Sequence, residues 1–255
     1  MGAGHHHLLY LERDSGLHRL APACKLAATA LFVFAIVVTP REAFWAFGVY
    51  AIVVLGLARV AHLPWLTLAR RLVIELPFLA FAVFLPFVGQ GDRVDVVGVS
   101  LSVDGLWGTW NILAKGTLGV AATVVMVATT RVDDLLRGLE RLRLPRLMTA
   151  IMGFMVRYGG ILTDDARTMR IARESRGYDP RWIGHTRALA ASAGTLFVRS
   201  YERGERVHLA MTARGYDGTM PRIIDAGPTT ARAWLTALAL PVGAFVVAVA
   251  AWTIR

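Results

Sequence analysis

The chain has one cysteine and two lysines in 255 residues, and only 18% of its side chains are charged. The single thiol, Cys24, cannot close an intramolecular disulfide or supply a cysteine-rich metal site. Set among apolar residues, it reads as an inert buried thiol. Soluble domains carry about 25% charged residues, so the shortage here, beside a 55% hydrophobic content, points to a membrane. With lysine almost absent, the net charge of +10 is carried by arginine. Basic chains are candidates for nucleic acid, but the placement of these arginines gives a simpler account.

Other signals are missing too. There is no glycine-rich phosphate loop with its lysine, so the chain has no ATP site of its own. His18, His62, His185 and His208 are scattered and lack the spacing of a zinc-binding helix. His5, His6 and His7 are adjacent on a polar end, read as an unstructured tail, and do not define a closed metal site. The first 25 residues are too polar for a cleavable signal peptide.

What is present is a set of long apolar runs. Leu26 to Thr39 and Ala43 to Ala58, parted by Pro40, Arg41 and Glu42, predict a tight helical hairpin. Each run falls a little short of the ~20 residues needed to span, so flanking residues complete the ends. A third run covers Leu72 to Val88 and contains Pro77 and Pro86, which membrane helices tolerate where neighbours satisfy the freed carbonyls. A polar loop, Gly89 to Gly105, leads to a fourth span from about Leu106 to Thr130, opened by Trp107 and Trp110 as interfacial aromatics. A last span covers about Ala233 to Ile254.

Between the fourth and last spans, Arg131 to Asp225 holds 17 arginines against 11 acidic residues and no apolar run long enough to cross. Placing it in the cytoplasm with Arg13, Arg19, Lys25, Arg59, Arg70 and Arg71 satisfies the positive-inside tendency. The acidic Gly89 to Gly105 loop then lies outside. The expected architecture is an all-α integral membrane protein with long cytoplasmic helices crossing one another. Its segments are residues 1–25 (cytoplasmic), 26–130 (four spans), 131–231 (cytoplasmic helices) and 232–255 (closing span). No nucleic acid is needed to explain the charge.

The cytoplasmic segment predicts three helices. Val132 to Pro145 places Leu135, Leu136, Leu139 and Leu142 on one face, giving an amphipathic surface or packing helix. A second helix runs from about Met148 to Arg176, with Gly153, Gly159 and Gly160 in its first half as a close crossing zone. A third covers Ile183 to Arg214, beginning with Ala188, Ala190, Ala191, Ala193 and Gly194. Both long helices end in the tetrapeptide RGYD, at Arg176 to Asp179 and Arg214 to Asp217. Gly177 and Gly215 are expected just past the helix ends, where φ turns positive. Tyr178 and Tyr216 then pack back on the final turns. Arginine at such an end suits the helix dipole, and its planar fork binds carboxylates while keeping its charge when desolvated. Arg176 and Arg214 therefore read as two plugs for one partner, or one for each of two related partners.

These residues resemble a known family, the transmembrane T component of energy-coupling-factor (ECF) transporters, in its cobalt-type CbiQ branch. The paired signatures Ser175-Arg176-Gly177 and Ala213-Arg214-Gly215 carry the likeness. GLHRLAPACKL, DDLLRGLERLRLP, MVRYGGILTDDARTMRIARESRGYDPR and SYERGERVHLAMTARGYDG extend it over most of the chain. The resemblance implies a non-catalytic scaffold in the cell membrane, without cofactors. Two ABC-type ATPase subunits would bind the tips, and a membrane S component would carry the substrate. Arg176 and Arg214 would be the docking residues, shaped by Ser175, Gly177, Ala213 and Gly215. Tyr178 and Tyr216 are added on the physical grounds above. Cobalt is the first substrate, nickel the second and a vitamin the third.

A membrane enzyme or a metal channel are the readings from other classes. The spans lack facing clusters of His, Asp or Met, and their one acidic residue, Glu75, is expected to pair with Arg70 or Arg71 at the interface.

Overall fold

The computed structural model describes residues 10–11, 13–89, 92–96, 99–178, 186–218 and 230–254. His5 to His7, Asp179 and His185 lie outside the described residues. The helices are α1 (Gly16–Arg19), α2 (Pro22–Val38), α3 (Phe44–Val60), α4 (Trp65–Leu72), α5 (Leu76–Val88), α6 (Val103–Ala128), α7 (Val132–Arg141), α8 (Arg146–Glu174), α9 (Thr186–Thr212) and α10 (Ala231–Thr253). A 3-10 turn, Val73–Glu75, joins α4 to α5 without a gap. The chain is an all-α membrane protein. Among the described residues, three stretches are long and apolar enough to cross a bilayer: Trp65–Val88, Val103–Ala128 and Ala231–Thr253. The first begins seven residues before the expected Leu72, because α4 continues it. At 17 residues each, α2 and α3 are the shorter pair.

The expected polar loop contains a two-stranded antiparallel hairpin, β1 (Arg93–Val96) on β2 (Val99–Ser102). Its valines are β-formers at alternating positions, a pattern hidden by the acidic and glycine residues around them. Ser102 leaves the hairpin as the cap of α6, its Oγ accepting from the Gly105 N–H at 3.3 Å.

The chain forms two compact units, one from residues 10–142 and 230–254, the other from the described part of 143–226. In the first, α2 is the hub and meets α10, α7 and α6. The α10 face is a row of small residues, Ala237, Pro241, Ala244, Ala248 and Ala251, spaced four and three apart. Such a row lets backbones approach closely where lipid supplies no hydrophobic drive. Around it Phe32, Ile36, Phe47 and Tyr50 are buried, while Ile52, Phe78, Phe81 and Phe84 face outward. Tyr50 ties three helices at one point: its hydroxyl donates to the Ala244 carbonyl at 3.0 Å and lies 2.9 Å from Thr39 Oγ1.

One expectation is corrected here, and the packing role expected of α7 is met. The ion pair of Glu75 with Arg70 or Arg71 does not form. The 3-10 turn carries Glu75 inward against α6, where its carboxyl is buried beside Gly116 and hydrogen-bonded by Thr117. The amphipathic α7 is a packing helix, with Leu136 and Gly138 buried. Gly138 touches α2 so closely that a Cβ there would lie 2.8 Å from Leu26 Cδ1 and 3.1 Å from the Ala23 nitrogen.

Candidate docking site

The second unit is built on α8 and α9, which pack together. The middle of α8, Phe154 to Asp165, meets the second half of α9. Phe154, Met155, Tyr158 and Leu162 line an apolar groove of about 390 Å³ with Val207 and Met211. An ion pair pins the contact, Arg203 Nη2 donating to Asp165 Oδ2 at 2.9 Å with both side chains under a third exposed. Gly153, Gly159 and Gly194, expected in a close crossing, are not in one. A Cβ on Gly153, Gly159 or Gly194 would meet nothing within 4 Å. Larger apolar residues of α8, among them Phe154, Met155 and Tyr158, line the contact instead.

Both helices end in one motif. Past α8, the Gly177 N–H donates to the Glu174 carbonyl (3.1 Å) and the Tyr178 N–H to the Arg173 carbonyl (3.1 Å). Past α9, the Gly215 N–H donates to Thr212 and the Tyr216 N–H to Met211, each at 3.0 Å. This is the Schellman pattern, in which two backward bonds satisfy the last free carbonyls and the residue between must adopt positive φ. Gly177 has φ +78° and Gly215 φ +87°. The glycines are where the sequence places them, for the reason it implies.

The side chains follow. Ser175, Arg176, Ala213 and Arg214 are exposed, and each arginine immediately precedes the positive-φ glycine. Tyr178 and Tyr216 are half-buried and fold back on the helix, but on different neighbours. Arg173 lies over the Tyr178 ring at 5.4 Å, whereas the Tyr216 ring meets the His208 edge at 6.4 Å and joins the groove wall. The two tips are not brought together. Tyr216 sits beside Tyr158 and Leu162, and Arg176 lies 14 residues beyond Leu162, which is about 21 Å along a helix at 1.5 Å per residue. The packed pair α8 and α9 thus carries two like cationic ends at separate places.

The arrangement offers positive charge on a preformed backbone turn. Among the described residues, no three His, Cys, Asp or Glu side chains converge as metal ligands. What sequence reasoning missed is the bracing of the site. Asp165 and Arg203 are 38 positions apart, and nothing local marks them as partners.

Residues 13–223 match the family described as cobalt transport protein, CbiQ. The chain is 26% identical over 229 residues to the energy-coupling factor transporter transmembrane protein EcfT of Staphylococcus aureus, covering 84% of each chain. It is 25% identical over 222 residues to the protein of that same name in Bacillus subtilis, covering 82% of this chain and 83% of the relative. Similarity to an uncharacterized protein of Methanocaldococcus jannaschii is 25% over 180 residues, covering 67% of this chain and 62% of the relative. The chain therefore spans under two thirds of that archaeal relative.

Proposed function

The chain belongs to the CbiQ family of cobalt transport proteins, transmembrane components of energy-coupling-factor transporters, and from this we propose that it is the coupling scaffold of such an importer. Arg176 and Arg214 dock in acidic grooves of two ABC-type ATPase subunits, which hydrolyse the ATP. Ser175, Gly177, Ala213 and Gly215 shape the plugs, and Tyr178 and Tyr216 brace them. The membrane unit holds a separate S component, and cobalt is the cargo. The protein lies in the cell membrane with its N-terminus and its arginine-rich segment in the cytoplasm. In this reading α2 and α3 complete a five-span arrangement with the three longer stretches. The segments are 1–25, 26–130, 131–231 and 232–255.

One observation carries the reading: two helices of one unit end in the same hydrogen-bonded turn, each presenting an exposed arginine. A solvated helix end gains little from such repetition. A socket that must grip a charge gains much, since removing one partner of a buried interfacial pair costs ~2–5 kcal/mol. The test is capture of the ATPases by the purified chain. The wild type retains them and the double variant Arg176→Glu, Arg214→Glu does not; retention by the double variant rejects the docking role. Uptake of radioactive cobalt against nickel by the reconstituted complex decides the cargo.

A further inference from the structure

One cation ties together the corner where α6 turns into α7. Lys25, in the first turns of α2, is only 6% exposed. Its ammonium donates to the Thr129 carbonyl at 2.9 Å, Thr130 Oγ1 at 3.2 Å and the His18 carbonyl at 3.4 Å. A lysine ammonium has three donors, so all are engaged. Thr129 closes α6, the place where free carbonyls and the negative end of the helix dipole gather. The Leu11 N–H takes the Ala128 carbonyl just before it, at 3.0 Å. Three residues after Thr129, α7 begins and folds back over Pro22, Ala23 and Leu26 through Gly138. Between Ala23 and Lys25 lies Cys24, with no exposed surface. After Leu142 the chain passes into the unit of α8 and α9.

We infer that Lys25 is a positioning residue for coupling, a pin that makes α2, the end of α6 and α7 one block from which the docking helices depart. The inference rests on the scaffold reading given above. A buried charge among carbonyls and a hydroxyl is costly unless its hydrogen bonds are complete, and packing alone would be served by methionine. The charge is matched to three acceptors of this corner, the Thr129 and His18 carbonyls and Thr130 Oγ1. A lever passes on motion only when its fixed end does not yield, and the α6–α7 turn is that fixed end.

The native thiol reports the corner without an added probe. In the detergent-solubilised full chain, maleimide labels Cys24 slowly in the wild type and about tenfold faster in Lys25→Met, as expected of a local opening. Thr130→Val removes one acceptor and a smaller share of the hold, and gives a rate between the two, which serves if Lys25→Met does not fold. In the assembled transporter, Lys25→Met keeps ATPase capture and ATP hydrolysis but loses most of its uptake per ATP hydrolysed. Unchanged labelling in both variants overturns the pin. Faster labelling with wild-type uptake per ATP overturns its part in coupling, as does a loss of ATPase capture in step with folded protein. Failure of the wild type to capture ATPases would strike the scaffold reading instead. The labelling needs no partner and still decides the pin.

Discussion

The carboxyl of Glu75 fills the space that a side chain at position 116 would occupy. Glycine at 116 admits the acid into the membrane unit, and the acid in turn requires the glycine. Gly116→Ala should destabilise the protein by about 1–3 kcal/mol, the usual cost of overpacking. Glu75→Ala leaves a hole and should also destabilise. Combined, the two changes relieve each other, so the double variant should melt higher than the sum of the singles implies. Thermal unfolding in detergent checks this, and strict additivity would refute the fit.

Gly138 should be equally intolerant. The nearest atoms to a Cβ there include the backbone of Pro22 and Ala23, which cannot swing aside as a flexible side chain does. Gly138→Ala should cost about 1–3 kcal/mol, read as a fall in melting temperature of several degrees. A melting temperature equal to the wild type would show that α7 does not lie on α2.

The helix tips give a sharper contrast. At φ +78° and +87°, alanine in place of Gly177 or Gly215 strains the turn by about 1–2 kcal/mol. Neither glycine has a neighbour within 4 Å of a Cβ, so the penalty is conformational, not steric. Each substitution should weaken ATPase capture while leaving the melting of the membrane unit unchanged. The end of α3 is the internal control. His62 closes it in the same two-bond pattern, at φ +55° without being glycine. His62→Gly should stabilise the protein by about 1 kcal/mol.

His18 makes the N-terminal segment sensitive to acid. Its Nε2–H donates to the Leu11 carbonyl at 3.2 Å, leaving Nδ1 to accept from Ser15 Oγ at 2.7 Å. That is the neutral ring. Burial, first, and the nearby Lys25 and His62 charges push its pKa below the ordinary histidine value, against the opposing pull of the Leu11 hydrogen bond and Asp14. A lowered folded-state pKa stabilises the fold above the unfolded pKa of about 6.5. That stability is lost as pH falls through 6.5 toward the folded value. The hydrogen-exchange protection factor at residues 13–20, the intrinsic rate at each pH divided by the measured one, should therefore fall between neutral and mildly acidic pH. In His18→Phe that protection factor should stay constant over the same window.

Much of this was legible in the chain because local chemistry decides it. A glycine after an arginine-ended helix stops that helix, and Gly177 and Gly215 do so by the expected bonds. Apolar runs become helices, although the 3-10 turn joined Trp65 to Val88 as one stretch, longer than periodicity indicated. The rest depends on partners far along the chain. Lys25 and Lys115 are the chain's two lysines, and nothing near either reveals its task. Lys25 holds the end of α6, while Lys115, on α6, donates to the Val37 carbonyl at the end of α2 at 2.7 Å. Small residues misled for the same reason. Gly153 and Gly159 face open space, whereas Gly116 and Gly138 are pressed against neighbours, and composition does not distinguish the two cases.

The α2–α10 seam also sets an order of assembly. Trp252 Nε1 donates to the Val38 carbonyl at 3.1 Å, across 214 positions of chain. At the pace of synthesis, 5–20 residues per second, roughly 10–40 s separate the emergence of these two partners from the ribosome. Through that interval α2 lacks its α10 partner, while the whole arginine-rich segment is synthesised. The nascent chain is thus open to insertion machinery or proteases until α10 arrives, and truncation before residue 230 would leave it so.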